Sequence, residues 1–265
     1  HNPQSAIVMV PARFGSTRFP GKPLAQLGGQ TVISRVVRQI LGAKNIEKPV
    51  VVCTDHDDIA REIESQFSPD LAVVARTSPD CHTGTDRLAQ ATRKRLGDAI
   101  EERKIIVNVQ GDEPFINAEH IEKLIERMAR DESLRMATLA TPILDAAQHG
   151  DPNVVQAVVS ENGKALYFSR ADVPFDREKG GATKLRHLGI YAYEANWLLE
   201  MASLPPSKLE EIEKLEQLRA LENGVEIGIE IVENVVSIAI DTPEDLEKAR
   251  AFVGTHGNAS SSPSS

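Results

Sequence analysis

Three fixed positive charges, Arg13, Arg18 and Lys22, fall within the stretch VPARFGSTRFPGKPL (Val10–Leu24), interleaved with Gly15, Pro20 and Gly21. That mixture suits an anion. Glycines let the backbone approach a ligand closely, and successive N–H groups form a concavity that holds negative charge. Arginine adds forked donors that match phosphate oxygens, and lysine adds a point charge. The stretch opens directly after the apolar run Ala6–Val10. It therefore lies beyond the carboxyl end of a strand, where open α/β sheets bind their ligands. We read it as a cradle for a polyphosphate, with a solvated basic surface loop as the alternative. It matches neither common phosphate loop: Lys22 is followed by Pro23 rather than Ser or Thr, and the three-glycine dinucleotide turn is missing.

The elements that must position this loop alternate in type. Apolar, β-branched runs at Ala6–Val10, Pro49–Cys53, Leu71–Val74 and Lys104–Val109 read as strands. Between them Val32, Val36, Val37, Ile40 and Leu41 repeat with helical spacing, as do Ile59, Ile63 and Phe67. A third helix is expected from about Thr85 to Leu96, with Asp57 and Thr83 as caps of the second and third. Runs apolar on both faces imply a parallel sheet covered on both sides, wound by right-handed crossovers.

Strand-like runs at Met136–Thr141, Val154–Val159, Ala165–Phe168 and Leu188–Tyr193 then crowd together. They predict an inserted, partly antiparallel region over about 136–232. An acidic helix from Lys208 to about Glu222 follows, then a strand pair, Glu226–Val232 with Val236–Ile240. A last helix starts at Pro243, with Thr242 as cap and Glu244 and Asp245 in its first turn. The expected fold is α/β, with a doubly wound, mostly parallel sheet and an inserted, partly antiparallel region. Residues 7–253 form its single domain. The start (1–6) and the Gly/Ser/Pro-rich tail (254–265) are expected to lack structure.

Composition narrows the partners. A chain of 265 residues, 41% hydrophobic, builds a core without staples. Its net charge of −9 argues against nucleic acid or an anionic membrane as the general partner. No apolar run reaches the ~20 residues of a membrane helix, and the start has no signal-peptide pattern. Cys53 and Cys81 make neither a disulfide framework nor a zinc spacing, which favours a reducing, cytoplasmic setting.

PARFGSTRFPGKPL resembles the nucleotide-binding loop of bacterial sugar-acid cytidylyltransferases, above all the 3-deoxy-manno-octulosonate cytidylyltransferase (CMP-Kdo synthetase) family. TGTDR (Thr83–Arg87), VNVQGDEP (Val107–Pro114), MATLATPI (Met136–Ile143) and ALYFSRADVPF (Ala165–Phe175) resemble the family too. So do LRHLGIYAY (Leu185–Tyr193), LEQLRALENG (Leu215–Gly224) and DTPEDLEKAR (Asp241–Arg250), all in the family's order. The resemblance implies that CTP and 3-deoxy-manno-octulosonate (Kdo) react to CMP-Kdo and pyrophosphate for lipopolysaccharide biosynthesis. It also implies Mg²⁺ as cofactor, a nucleotide-binding sheet, an inserted sugar-binding and dimerisation region, and a cytoplasmic homodimer.

By resemblance Arg13, Gly15, Ser16, Arg18 and Lys22 hold the triphosphate, Thr85 and Arg87 lie near the base, and Gln110 lies near the nucleotide. Asp112 and Asp241, each just past an apolar run, become a carboxylate pair for Mg²⁺, which needs only one or two protein ligands. By residue type alone they are equally a turn residue and a helix-start residue. Catalysis by Arg13, Lys22, Asp112 and Asp241 would be positioning and charge stabilisation. The sugar residues implied are Arg170, His187, Tyr191, Glu216 and Gln217. Arg and His suit the carboxylate; Tyr, Glu and Gln suit hydroxyls. By type alone His187 reads first as a satisfied strand histidine and Glu216 could be a solvated acid, and Glu113 reads as structural.

Some positions depart from the family pattern. Phe14 stands where Tyr is common, Gln156 where Lys is common, and Cys81-His82-Thr83 where His-Pro-Ser is usual. Asp172 sets an acid beside Arg170 and leaves open an amino-substituted Kdo. Another nucleotide and a non-catalytic nucleotide-binding module are the remaining alternatives; Arg13, Lys22, Asp112 and Asp241 together speak against the last.

Overall fold

Strand β1 (Ala6–Pro11) divides its side chains between two cores: Ala6, Val8 and Val10 face one, Ile7 and Met9 the other. That is the signature of a strand covered by helices on both sides. The structure is a computed structural model and describes residues 5–256 apart from 99, 146–147, 179–180, 234 and 237.

After β1 come a 3-10 turn (Lys22–Leu24) and a short hairpin, β2 (Gln26–Leu27) and β3 (Gln30–Thr31). Next are α1 (Val32–Leu41), β4 (Ile46–Thr54), α2 (Asp57–Gln66), β5 (Ala72–Arg76), α3 (Gly84–Leu96) and β6 (Ile105–Asn108). The second half runs α4 (Ala118–Arg130), β7 (Met136–Pro142), β8 (Gln156–Val159), β9 (Ala165–Ser169), β10 (Leu185–Glu194) and α5 (Ala195–Ser203). It ends with α6 (Lys208–Glu213), α7 (Leu218–Glu222), β11 (Ile227–Ile231) and α8 (Pro243–His256).

The main sheet has the order β5-β4-β1-β6-β10-β7-β11. β1, β4, β5 and β6 are parallel, β11 is parallel to β7, and β10 runs antiparallel to both β6 and β7. The chain winds outward from β1 to β5, and α3 then returns it to β6 on the other side of β1. Strand order thus reverses between β1 and β6, and a ligand crevice is expected beyond their carboxyl ends. Both the cradle and Asp112 leave from those ends.

The region expected as an insertion is largely part of this sheet. β7, β10 and β11 continue it, and only β8 and β9 branch off, β8 pairing with β10 and β9. The helix expected over Lys208–Glu222 is two helices. Lys214 takes a left-handed conformation (φ 55°), and Arg170 draws the carbonyls of Glu213 and Lys214 to itself at 2.8 and 3.4 Å. The expected strand Val236–Ile240 is not formed by its described residues. Instead the Ile240 N–H donates to the Asp112 carbonyl at 2.9 Å.

His56, not Asp57, caps α2; Thr83 caps α3 in a reciprocal box with Asp86. Two well-formed helices, α4 and α5, have no counterpart among the sequence expectations. α8 extends to His256, into the tail expected to lack structure; residues 1–4 and 257–265 lie outside the described residues. No described helix is long and apolar enough to cross a membrane.

Candidate active site

The cradle folds back on itself before it reaches the crevice. Gly21 has φ 72°, in the left-handed region that favours glycine, and its N–H donates to the Phe14 carbonyl at 2.9 Å. Phe14 stacks on His56 with ring centroids 4.0 Å apart. This fold aims Lys22 inward. Its Nζ lies 2.5 Å from Asp112 Oδ2 and 3.0 Å from Asp241 Oδ1, while the Arg18 guanidinium lies 3.7 Å from Asp241 Oδ2. Burial alone would lower the Lys22 pKa; attraction and hydrogen bonds from Asp112 and Asp241 more than offset it, so the pKa stands above its ordinary value.

Three unrelated pieces of packing place those groups. At Gly111 a Cβ would come within 2.9 Å of the Pro11 carbonyl, so only glycine lets the ends of β1 and β6 touch there. Ile240 is buried with Leu27, Val32, Leu246 and Ala249, which docks the start of α8 against the hairpin and presents Asp241. Thr242 and Asp245 then cap that helix reciprocally. The shared cleft has a volume of about 240 Å³; Arg13, Lys22, Arg87, Gln110, Asp112 and Asp241 all line it. Arg87 reaches it while buried, at 3.3 Å from Asp55. Gly15, Ser16 and Arg18 lie outside its lining, and the Ser16 hydroxyl accepts from the Phe19 N–H.

Two carboxylates gathered around one ammonium form an all-oxygen donor pair. Such a pair fits Mg²⁺, a hard cation that completes its shell with waters and phosphate oxygens. Among the described residues no third His, Cys, Asp or Glu joins them. The two free cysteines do not compete: burial pushes Cys53 up to about 12 and also raises Cys81.

A second cavity, about 410 Å³, opens beside the cleft, and Gln110 lines both. His187, Tyr191 and Gln217, three of the residues implied for the sugar, line it. The His187 ring sits 2.9 Å from the Thr138 hydroxyl, and burial pushes it down to about 3, so it is neutral. Glu113, which the sequence marked as structural, and Arg186, to which it gave no role, line the cavity as well. Burial first, and the charge of Asp112 second, raise Glu113 to about 7.

Three implied residues sit elsewhere. Thr85 points away from the cleft, and its hydroxyl donates to Glu216 Oε2 at 2.8 Å. Glu216 in turn faces Arg219 at 3.6 Å, so this pair ties the start of α3 to α7 without lining either cavity. Arg170 binds the carbonyls of Pro152, Glu213 and Lys214 and also lies off the cavity. Asp172 is engaged on both oxygens, by Lys184 at 2.5 Å and by Gln156 at 3.2 Å, and it too lies off the cavity. An amino group on the acceptor therefore finds no partner there.

The acceptor side rests on a buried ion pair. Arg219 meets both oxygens of Glu210 at 2.8 and 2.5 Å and donates to the Met201 carbonyl at 3.1 Å. Arg219→Leu is expected to cost about 3–5 kcal/mol, because it strands the Glu210 carboxylate in the interior. Urea unfolding with an unchanged m-value checks this; a loss below about 1 kcal/mol would mean that water reaches the pair.

A family model for cytidylyltransferases matches residues 7–227. The 3-deoxy-manno-octulosonate cytidylyltransferase of Syntrophotalea carbinolica is 43% identical over 258 residues, covering 94% of this chain and 98% of the relative. That of Thermodesulfovibrio yellowstonii is 44% identical over the same share of each chain. Among solved structures, CMP:2-keto-3-deoxy-manno-octonic acid synthetase complexed with CTP is 36% identical, with a TM-score of 0.86 over 95% of this chain and 99% of its own.

Proposed function

Because the chain belongs to the 3-deoxy-manno-octulosonate cytidylyltransferase family, we propose that it transfers CMP from CTP to the anomeric hydroxyl of Kdo, releasing pyrophosphate and yielding CMP-Kdo for lipopolysaccharide biosynthesis. One observation carries the mechanism: the cradle lysine, Asp112 and Asp241 meet in a cleft that joins a second, acceptor-sized cavity at Gln110.

Arg13 and Lys22 draw the triphosphate into the cleft, and the start of α3, at Thr83 and Gly84, borders the same space. Asp112 and Asp241 would hold Mg²⁺, which when bound withdraws charge from the phosphate oxygens. The acceptor cavity orients Kdo so that its anomeric oxygen approaches the α-phosphorus. A new P–O bond forms there as the hydroxyl gives up its proton to solvent, the bond to the bridging oxygen breaks, and pyrophosphate leaves against the positive charge of the cradle. His187, held neutral, and Gln217 are suited to hydroxyls rather than to charge.

We also propose a cytoplasmic homodimer. Support comes from the large apolar side chains Leu144 and Phe175, which are 92% and 84% exposed within the second half of the chain. Pyrophosphate release measured with CTP or UTP, with Kdo or a neutral sugar, and with Mg²⁺ or chelator tests the reading. Turnover is expected with CTP, Kdo and Mg²⁺ together, and chelator is expected to abolish it. Equal turnover in chelator would remove the role given to Asp112 and Asp241.

A further inference from the structure

An acceptor that is a sugar acid brings a carboxylate, and neither side chain expected to receive it is in position to do so. Arg170 spends its guanidinium on three backbone carbonyls at the start of the β8 arm and between α6 and α7. His187 faces the cavity, but it is bonded to Thr138, packed edge-on against Phe168 at 4.9 Å, and neutral.

One other cation is present. Among the described residues lining the acceptor cavity, Arg186 is the only lysine or arginine. It also borders a neighbouring cavity, but Asp145 and Glu233 line that one and repel a carboxylate. On the acceptor side it faces the single acid Glu113, whose charge acts on it. A guanidinium carries five donors, more than one carboxylate can take, and its fork fits a second carboxylate bidentately. Burial has already removed part of its water, so an incoming anion meets a charge that is poorly screened.

We propose that Arg186 is the specificity residue that selects a carboxylate on the acceptor, and that Arg170 is a positioning residue for the break between α6 and α7. The assignment rests on the reaction proposed above. It identifies which side chain makes that reaction one of sugar acids and not of neutral sugars.

The test compares Kdo with its methyl ester, which keeps every hydroxyl and loses the charge, in wild type, Arg186→Gln, Arg186→Lys and Arg170→Gln. Wild type is expected to favour the acid strongly. Arg186→Gln is expected to lower kcat/KM for Kdo by about 30- to 1000-fold, mainly through KM, the loss typical of unpairing a buried charge. It should leave use of the ester and KM for CTP within about twofold, so that the discrimination collapses. Arg186→Lys should recover part of the preference, and Arg170→Gln should keep it whatever its turnover. Calorimetric CTP binding confirms that each variant is folded; if the Gln variant does not bind CTP, the Lys variant carries the same comparison. Discrimination retained in both Arg186 variants, or lost in Arg170→Gln, overturns the assignment. A wild type that transfers CMP to neither acceptor overturns the reaction itself, which is a different failure.

Discussion

Asp112→Asn and Asp241→Asn are each expected to lower kcat by about a thousandfold, within the range seen when one charge-stabilising group is removed from a preorganised site. Asparagine keeps the size and the carbonyl oxygen and deletes the charge. The two aspartates lie far apart in the chain and converge on one point, where the Lys22 ammonium now lies 2.5 and 3.0 Å away. Among the described residues no third acid joins the pair, so no spare anion compensates for either loss. The double variant should therefore be little worse than the single ones, as expected of groups that act as a unit. Steady-state pyrophosphate release at saturating CTP and Mg²⁺ measures the effect. A scanning melt controls for folding. Both carboxylates are partly open to water, with side chains 26% and 47% exposed, so Tm should barely move. A tenfold effect or less on kcat, or a large fall in Tm, would make the pair structural.

Lys22→Gln is the second large effect. The ammonium lies where the aspartates would take a divalent cation, and both cannot occupy that place. When the nucleotide arrives, its phosphates offer the lysine a new partner and free the carboxylates. Removing the ammonium should therefore weaken CTP binding and strengthen binding of the bare metal. We expect kcat/KM for CTP to fall by about 100- to 1000-fold, the scale of one desolvated charge contact. Mn²⁺ titration followed by electron paramagnetic resonance, without nucleotide, should show tighter binding to Lys22→Gln than to wild type. Unchanged or weaker Mn²⁺ binding would mean that the lysine does not compete. The raised pKa gives this contact its pH range. A group whose pKa is raised by folding contributes fully below its unfolded value and loses that contribution as pH rises, so the lysine keeps its charge through neutrality and gives it up only above about 10.5.

The nucleotide half of the fold was largely legible in the sequence. Alternating strand and helix patterns over the first half gave β1, β4, β5 and β6, while the switch point between β1 and β6 follows from the strand order of the folded sheet. There, local signals and tertiary structure agree: Thr83 and Asp86 spell a capping box and form one. The acceptor half was less legible because its decisive forces are not local. Lys208–Glu222 has a helical pattern throughout, yet Arg170, far away in sequence, pulls two carbonyls out of it. Arg186 was missed for a related reason. Neighbours on a regular strand face opposite sides, so a reading that gives the cavity to His187 denies it to Arg186. The cavity, however, runs along β10 from Arg186 to Tyr191, so both residues reach its wall. Arg170 and Glu216 carry family motifs, but motif membership does not say whether a side chain points into a cavity or into a brace.

The span between Lys22 and Asp241 is 219 residues. On the ribosome, then, the cradle emerges long before the aspartate that completes its cleft, and the intervening chain must already be threaded into the sheet when α8 docks. A truncated product ending before Asp241 could fold most of its strands and still be catalytically inert. Complete synthesis is thus a condition for the nascent protein to engage its substrates at all.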